Sequence, residues 1–156
     1  PEEWDETFNV NLRGAFLCCR AVVPIMIEQG HGRIINIASM TGKRPLPMRT
    51  PYCATKMGLI GFTRGLAMEL GKFNINVNAI CPGAVEGPRI EMVIRNAAIA
   101  ESISEEQVRK RFLSASPLGR MVSVEDVAKV AVFLASEDSK NMTGEDVNVT
   151  AGVVMY

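Results

Sequence analysis

Tyr52 and Lys56, four residues apart, and Ser39, thirteen residues before the tyrosine, are the side chains with the types and spacing to move a proton. Residues four apart on a helix share a face, so the phenol and the ammonium point the same way. A phenol is a poor acid at neutral pH, with a pKa of about 10, and a fixed cation beside it favours the ionised form. The pair is therefore suited to acid/base work. A serine hydroxyl at the carboxyl end of a strand can steady a carbonyl oxygen next to it. Alone, Tyr52 and Lys56 would be an ordinary solvated helix face; the serine and the strand before it give them a direction.

These residues need elements to hold them. Arg33 to Ala38 is rich in isoleucine without strict alternation, which predicts a parallel strand buried on both faces with Ser39 at its end. A loop then leads to a helix from Tyr52 to Gly71, whose small residues Ala54, Gly58, Gly61 and Ala67 permit close approach of another helix. Ile75 to Cys81 predicts the next strand, and Pro82-Gly83 stops it and frees main-chain groups at its carboxyl edge. Upstream, Trp4, Phe8, Leu12, Phe16, Cys19, Val23 and Met26 recur every three or four residues, predicting a helix to about Gln29 that Gly30 and Gly32 end. Its second half, Ala15 to Ile27, is apolar nearly all round and is expected to be covered on two sides.

Downstream, residues 89–115 read as two helices parted near Ser104, with Ser104 and Gln107 as a capping box. Met92, Ile94, Ile99 and Phe112 are candidates for an apolar pocket wall, while Arg89 and Arg95 read as solvated surface rather than an anion site. Ser123 begins another capped helix to about Ala135, and residues 141–149 carry a last turn and strand. This order fits the second half of a Rossmann-like doubly wound parallel sheet, of α/β class, with helices on both faces. Ser39 and Pro82-Gly83 then share one sheet edge, where such folds hold ligands.

Composition narrows the function. The sequence has 156 residues, 47% apolar and 22% charged, which suits one domain or part of one. Lys+Arg and Asp+Glu balance at 17 each, so the electrostatic footprint for nucleic acid is absent. No apolar run approaches the roughly 20 residues of a membrane span and no secretory signal pattern stands at the front, so no membrane association and a cytoplasmic location are expected. Cys18, Cys19, Cys53 and Cys81 lack metal-ligand spacing and are expected as buried, reduced thiols. His31, the one histidine, lies between two glycines, which argues against a histidine-based metal site or a Ser-His-Asp triad.

From Trp4 to about Met155 the sequence resembles the short-chain dehydrogenases/reductases, on the residues quoted above together with Asn11 in Asn9-Val10-Asn11-Leu12-Arg13-Gly14. The resemblance implies a catalytic tetrad of Asn11, Ser39, Tyr52 and Lys56, and an oxidoreductase that interconverts an alcohol and a ketone by hydride transfer. It implies NAD or NADP, with Tyr52, Lys56, Pro82, Gly83 and Val85 at the cofactor and main-chain groups near Val85 reading the nicotinamide carboxamide. Asn11 would mark a local irregularity in its helix and support a proton path, and Lys56 would also bind the nicotinamide ribose. Residues 88–116 would be a helical insertion covering a small alcohol or carbonyl substrate. A homotetramer or homodimer would form through the helices that begin near Trp4 and Tyr52.

The sequence departs from the family at two places. Gly87 stands where a threonine is frequent, which removes a hydroxyl contact to the cofactor, and Thr150-Ala151-Gly152 stands where most relatives have Asp-Gly-Gly, an expected change of tail packing only. No Gly-rich strand-to-helix turn occurs, so residues 1–156 are expected to form the carboxyl-terminal part of a single Rossmann-fold domain. Two other readings stand beside the oxidoreductase: a non-redox relative, an epimerase or dehydratase, using the same tyrosine and lysine, and a non-catalytic fragment.

Overall fold

The structure, a computed structural model, describes residues 1–156. Three strands, β1 (Gly32–Ile37), β2 (Ile75–Pro82) and β3 (Asp146–Val149), form one parallel sheet in the order β1-β2-β3. Ile34 lies opposite Val77 and Ile37 opposite Ile80, while Ala79 starts the register with Asp146. The central strand is buried on both faces, with Ile75, Val77, Ala79, Ile80 and Cys81 almost wholly out of solvent.

Three asparagines interrupt that apolar sheet, and each is matched to partners. Asn76 donates to the carbonyls of Lys140 and Met142, and Asn78 donates to Met142 O and accepts from the Glu145 amide at 3.0 Å. Asn36 donates to Thr63 Oγ1. Buried amides are tolerated because these bonds replace the lost water. Their consequence is positional: Asn76 and Asn78 fix the turn that delivers β3 to the sheet.

Seven residues of α-helix, α1 (Glu2–Phe8), pass through a π-helical turn (Asn9–Arg13) into α2 (Gly14–Gln29), which Gly30 ends at φ 74°. Val23, Met26 and Ile27 of α2 pack on the core formed by Ile34, Leu70, Ile75 and Val77. The opposite side is not covered by this chain: Phe16, Leu17, Val22 and Ile25 are exposed on the face expected to meet a second copy. The run from Glu2 to Gln29 is also long and apolar enough to cross a membrane by length and composition. The sequence expectation missed this because Arg13 and Arg20 break the apolar run without lowering its average below that of a span. The cysteines also differ from expectation: all four are free, but only Cys19 and Cys81 are buried and Cys18 is exposed, because neighbouring helix positions point about 100° apart.

β1 connects to β2 through α3 (Thr50–Leu70), which starts two residues before Tyr52 because Pro51 is tolerated in the first turn. After β2 come α4 (Pro88–Glu101) and α5 (Glu105–Ser114), then α6 (Val124–Ala135). Both expected capping boxes form, Ser104 with Gln107 and Ser123 with Asp126. Gly87, the N-cap of α4, adopts φ 134°, a conformation that L side chains avoid. A glycine rather than the frequent threonine is therefore built into the way this helix begins.

Candidate active site

Tyr52 is half-buried in the wall of a cavity of about 610 Å³ between the start of α3, the α4/α5 pair and the segment after Ser116. Its apolar lining includes Met40, Ala84, Val93, Ala97, Phe112 and Met121. Of the four residues expected to shape a pocket, Phe112 alone lines it. Ile94 is fully buried with Ile90, Ala98 and Val108, whereas Met92 and Ile99 face outward. The helical phase decides this, since α4 presents Val93, Asn96, Ala97 and Ala100 to the cavity, at i, i+3, i+4 and i+7.

Lys56 lies one turn along α3, its Nζ 5.6 Å from the centre of the Tyr52 ring. Nζ donates to Ile37 O at 2.8 Å, which ties α3 to the end of β1. Burial pushes the Lys56 ammonium below the usual lysine range, the Arg89 cation pushes it further, and nearby Cys81 opposes. Arg89 is exposed, as expected, yet its guanidinium carbon lies 6.0 Å from the centre of the Tyr52 ring, so two cations lie near that ring.

Ser39 lies two residues beyond the end of β1, in extended conformation, and is buried. Its Oγ accepts from the Thr41 amide at 3.2 Å and from Thr41 Oγ1 at 2.9 Å, which holds the following 3-10 turn, Met40–Gly42. No hydrogen bond joins Ser39 to Tyr52; Met40, the next residue, shares the cavity wall with the tyrosine. The turn is packed onto α3, because a Cβ on Gly42 would stand 2.9 Å from the Lys56 carbonyl carbon. Lys43 then reaches across 103 residues to pair with Asp146 at 2.5 Å.

Asn11 occupies the middle of the π turn, the local irregularity that the resemblance implied. Turns of this kind occur often at functional sites. Asn11 Nδ2 donates to Thr55 Oγ1 at 3.2 Å, and Thr55 Oγ1 donates to Tyr52 O at 2.9 Å. A chain of hydrogen bonds thus links Asn11 to the main chain of the tyrosine. Thr55 was not singled out by sequence reasoning, although its place between Tyr52 and Lys56 on the helix was a usable signal.

The second loop lies at the carboxyl end of β2. Pro82 closes the strand opposite Val149, and the Gly83 amide donates to Val149 O. A Cβ on Gly83 would stand 3.0 Å from Thr150 Cα, so the two chains touch there. Val85 forms an isolated parallel bridge with Val122, made by Glu86 N to Val122 O and Val122 N to Ala84 O. The amide N–H and C=O of Val85 itself carry no internal hydrogen bond, which leaves one donor and one acceptor side by side. Thr150 and Val153 line the cavity, so the departure at Thr150-Ala151-Gly152 is more than a change in tail packing.

Parallel strands between helices, with two site loops at strand carboxyl ends, define a Rossmann-like α/β fold. A family model described as enoyl-(acyl carrier protein) reductase matches residues 1–154. The 3-oxoacyl-[acyl-carrier-protein] reductase FabG of Thermotoga maritima is 41% identical over 154 residues, covering 99% of this chain and 58% of that protein. An actinorhodin polyketide ketoreductase with NADPH superposes at a TM-score of 0.94 with 36% identity, over 99% of this chain and 60% of the other. An NAD+-bound xylitol dehydrogenase gives 0.93 and 31%, over 97% and 61%. This chain belongs to the short-chain dehydrogenase/reductase family. It spans about three fifths of the length of these relatives.

Proposed function

We propose that this chain carries the acid/base half of an NAD(P)-dependent oxidoreductase that interconverts an alcohol and a ketone, as its ketoreductase and dehydrogenase relatives do by name. One observation carries the reading: Tyr52 opens onto the cavity with Lys56 one turn behind it, and the Ser39 turn is packed against Lys56 through Gly42. A nicotinamide cofactor, when bound, supplies or accepts the hydride. The residues present fit one, because Val85 offers an unpaired N–H and C=O of the kind a carboxamide needs. Pro82 and Gly83 shape that loop, and Lys56 binds the ribose. The choice between NAD and NADP stays open, since one solved relative carries each.

In the reducing direction Ser39 donates a hydrogen bond to the substrate oxygen and Tyr52 delivers the proton to it. Negative charge left on the Tyr52 oxygen is offset by Lys56 and Arg89, whose cations lie near the ring. Asn11, through Thr55, steadies the first turn of α3 and supports proton resupply from solvent. Residues 88–116 cover the substrate. The exposed apolar side of α2, with Phe16, Leu17 and Ile25, and Met57 and Met68 on α3, suits burial against a second copy in a homodimer or homotetramer. A cytoplasmic location accords with free thiols throughout.

The test is Tyr52→Phe in the natural full-length protein. Turnover should fall by about 10²–10⁴-fold while cofactor affinity stays within about twofold. Wild-type turnover in the variant would refute the assignment.

A further inference from the structure

The cavity in front of Tyr52 is lined by both apolar and cationic side chains. Arg44, Arg49, Arg111 and Arg120 line it, against Glu3 and Glu101. Glu101 is committed to Arg111, whose Nη2 donates to it at 2.7 Å. That leaves Arg44, Arg49 and Arg120 facing one acidic side chain, Glu3. Outside the cavity Arg33 pairs with Glu137, Arg64 with Asp146, Arg95 with Glu105 and Arg109 with Glu91, while Arg13, Arg20 and Arg89 pair with no carboxylate. Arg44, Arg49 and Arg120 form no salt bridge and donate no side-chain hydrogen bond within the chain, although Arg120 is near enough to Asp126 to help hold that carboxyl down.

Arg49 is also placed against local preference. It is the N-cap of α3, a position where serine, threonine, aspartate or asparagine would satisfy a free amide, and the first turn holds no acidic residue. A cation at the positive end of a 21-residue helix is electrostatically unfavourable. A local choice that opposes the fold is expected where function demands it. An anion held there would relieve both defects, meeting the guanidinium and the positive end of the helix together. Arg49, just before the helix that carries Tyr52, lines the same cavity as the tyrosine. Arg89, over the tyrosine ring, adds to the same field.

We infer that the cavity selects a substrate bearing a carboxylate or phosphate a short chain away from the group that Tyr52 protonates, with Arg49 and Arg120 as the specificity-determining residues. This rests on the oxidoreductase reading for the reacting group, but the anion site stands on the arginines alone. The same chemistry could come from a carboxylate or a phosphate, and a hydrocarbon of a few carbons fits the Val93, Ala97 and Phe112 side of the cavity.

The test reads binding rather than turnover. Hexanoate, hexyl phosphate and methyl hexanoate are titrated calorimetrically into the natural full-length protein and into an Arg49→Gln/Arg120→Gln double variant. Wild type should bind at least one of the two anions tenfold or more tightly than the ester, and the double variant should narrow that ratio below threefold. Whichever anion gains more identifies the group. Equal binding of anions and ester by wild type, or a preference that survives in a double variant with unchanged melting temperature, overturns the inference. If the variant melts earlier, Arg49→Lys is measured as well; it keeps the charge and should retain most of the preference, and loss equal to that of the glutamine variant counts against an electrostatic site. Tight anion binding without reduction of any ketone would leave this site standing and remove the oxidoreductase reading.

Discussion

Asp146 Oδ2 lies 2.5 Å from Lys43 Nζ, and the two residues are far apart in sequence but both nearly buried. Arg64 takes the other carboxylate oxygen, and Lys43 also donates to the Asp146 carbonyl, to Asn148 and to the Tyr156 carbonyl. The turn that follows Ser39 is thereby tied to the last strand of the sheet.

This pair sets an acid dependence. Burial raises the Asp146 carboxyl, but the hydrogen bonds and charges of Lys43 and Arg64 outweigh it and hold it below the usual carboxylate range. With the folded value depressed, the stabilisation is complete above the unfolded value of about 3.9 and is lost as pH falls through the folded value. Asp146→Asn should cost about 1.5–3 kcal/mol at pH 7 by removing the charge-assisted contacts to Lys43 and Arg64. Melting curves between pH 7 and pH 2.5 should show the gap between variant and wild type closing below about pH 4. A gap that is constant across this range would remove Asp146 from the account.

Gly42 is predicted to be intolerant of a methyl group. In Gly42→Ala the new carbon meets the main chain of Lys56 and Met57 at 2.9 Å, and backbone cannot step aside as a flexible side chain would. We expect a loss of about 1–3 kcal/mol. Turnover should drop further than stability, because the displaced turn carries Ser39 and the displaced helix carries Lys56. Kinetics at a temperature where both forms are fully folded would separate the two effects.

Thr55 is wholly buried and joins Asn11 to Tyr52 through one hydroxyl. Thr55→Val keeps the shape and leaves the Asn11 amide and the Tyr52 carbonyl without that partner. The expected cost is about 1–3 kcal/mol. As a positioning residue it should lower kcat while KM for the cofactor stays within about twofold; an unchanged kcat would make its role purely structural.

Ala151 offers a stabilising change. It adopts φ 51°, the left-handed region where an L residue costs roughly 1–2 kcal/mol relative to glycine. Ala151→Gly should therefore raise stability by about 1 kcal/mol, or the melting temperature by about 2–4 °C. Ser116 Oγ holds the Ala151 carbonyl at 2.8 Å, so the bend itself should persist. A lower melting temperature would show that the methyl group packs better than its backbone costs.

Local signals in the sequence were reliable where local chemistry fixes the outcome. Ser104 and Ser123 start helices because a hydroxyl and a side chain three residues on satisfy each other's amides. The isoleucines of Arg33 to Ala38 form β1, shifted by one residue, but the strand is not buried on both faces as expected: Ile34 is buried, Ile35 half-buried and Ile37 exposed, because only one face is packed along its length. The π turn around Asn11 was not legible from periodicity, because one widened turn barely disturbs the three- and four-residue apolar spacing. Neither was the Lys43 to Asp146 link, which joins segments with no common local pattern. The phase of α4 was also hidden: Ile94 and Val93 are adjacent and both apolar, and only the packed sheet and α5 decide which one faces the cavity.

The sheet described above has a partner strand on one side of β1 only. β3, at the opposite border, is four residues long and its Asp146 carbonyl is occupied by Lys43, so it offers little to an intruding chain. β1 is six residues long, and its outer side carries no strand, with the Ile37 carbonyl taken by Lys56 and the other outward amides and carbonyls left as a template for adventitious pairing. Handling residues 1–156 by themselves will therefore be governed by that bare rim: recovery in dilute solution, and clumping on concentration before the hydrophobic interior has melted.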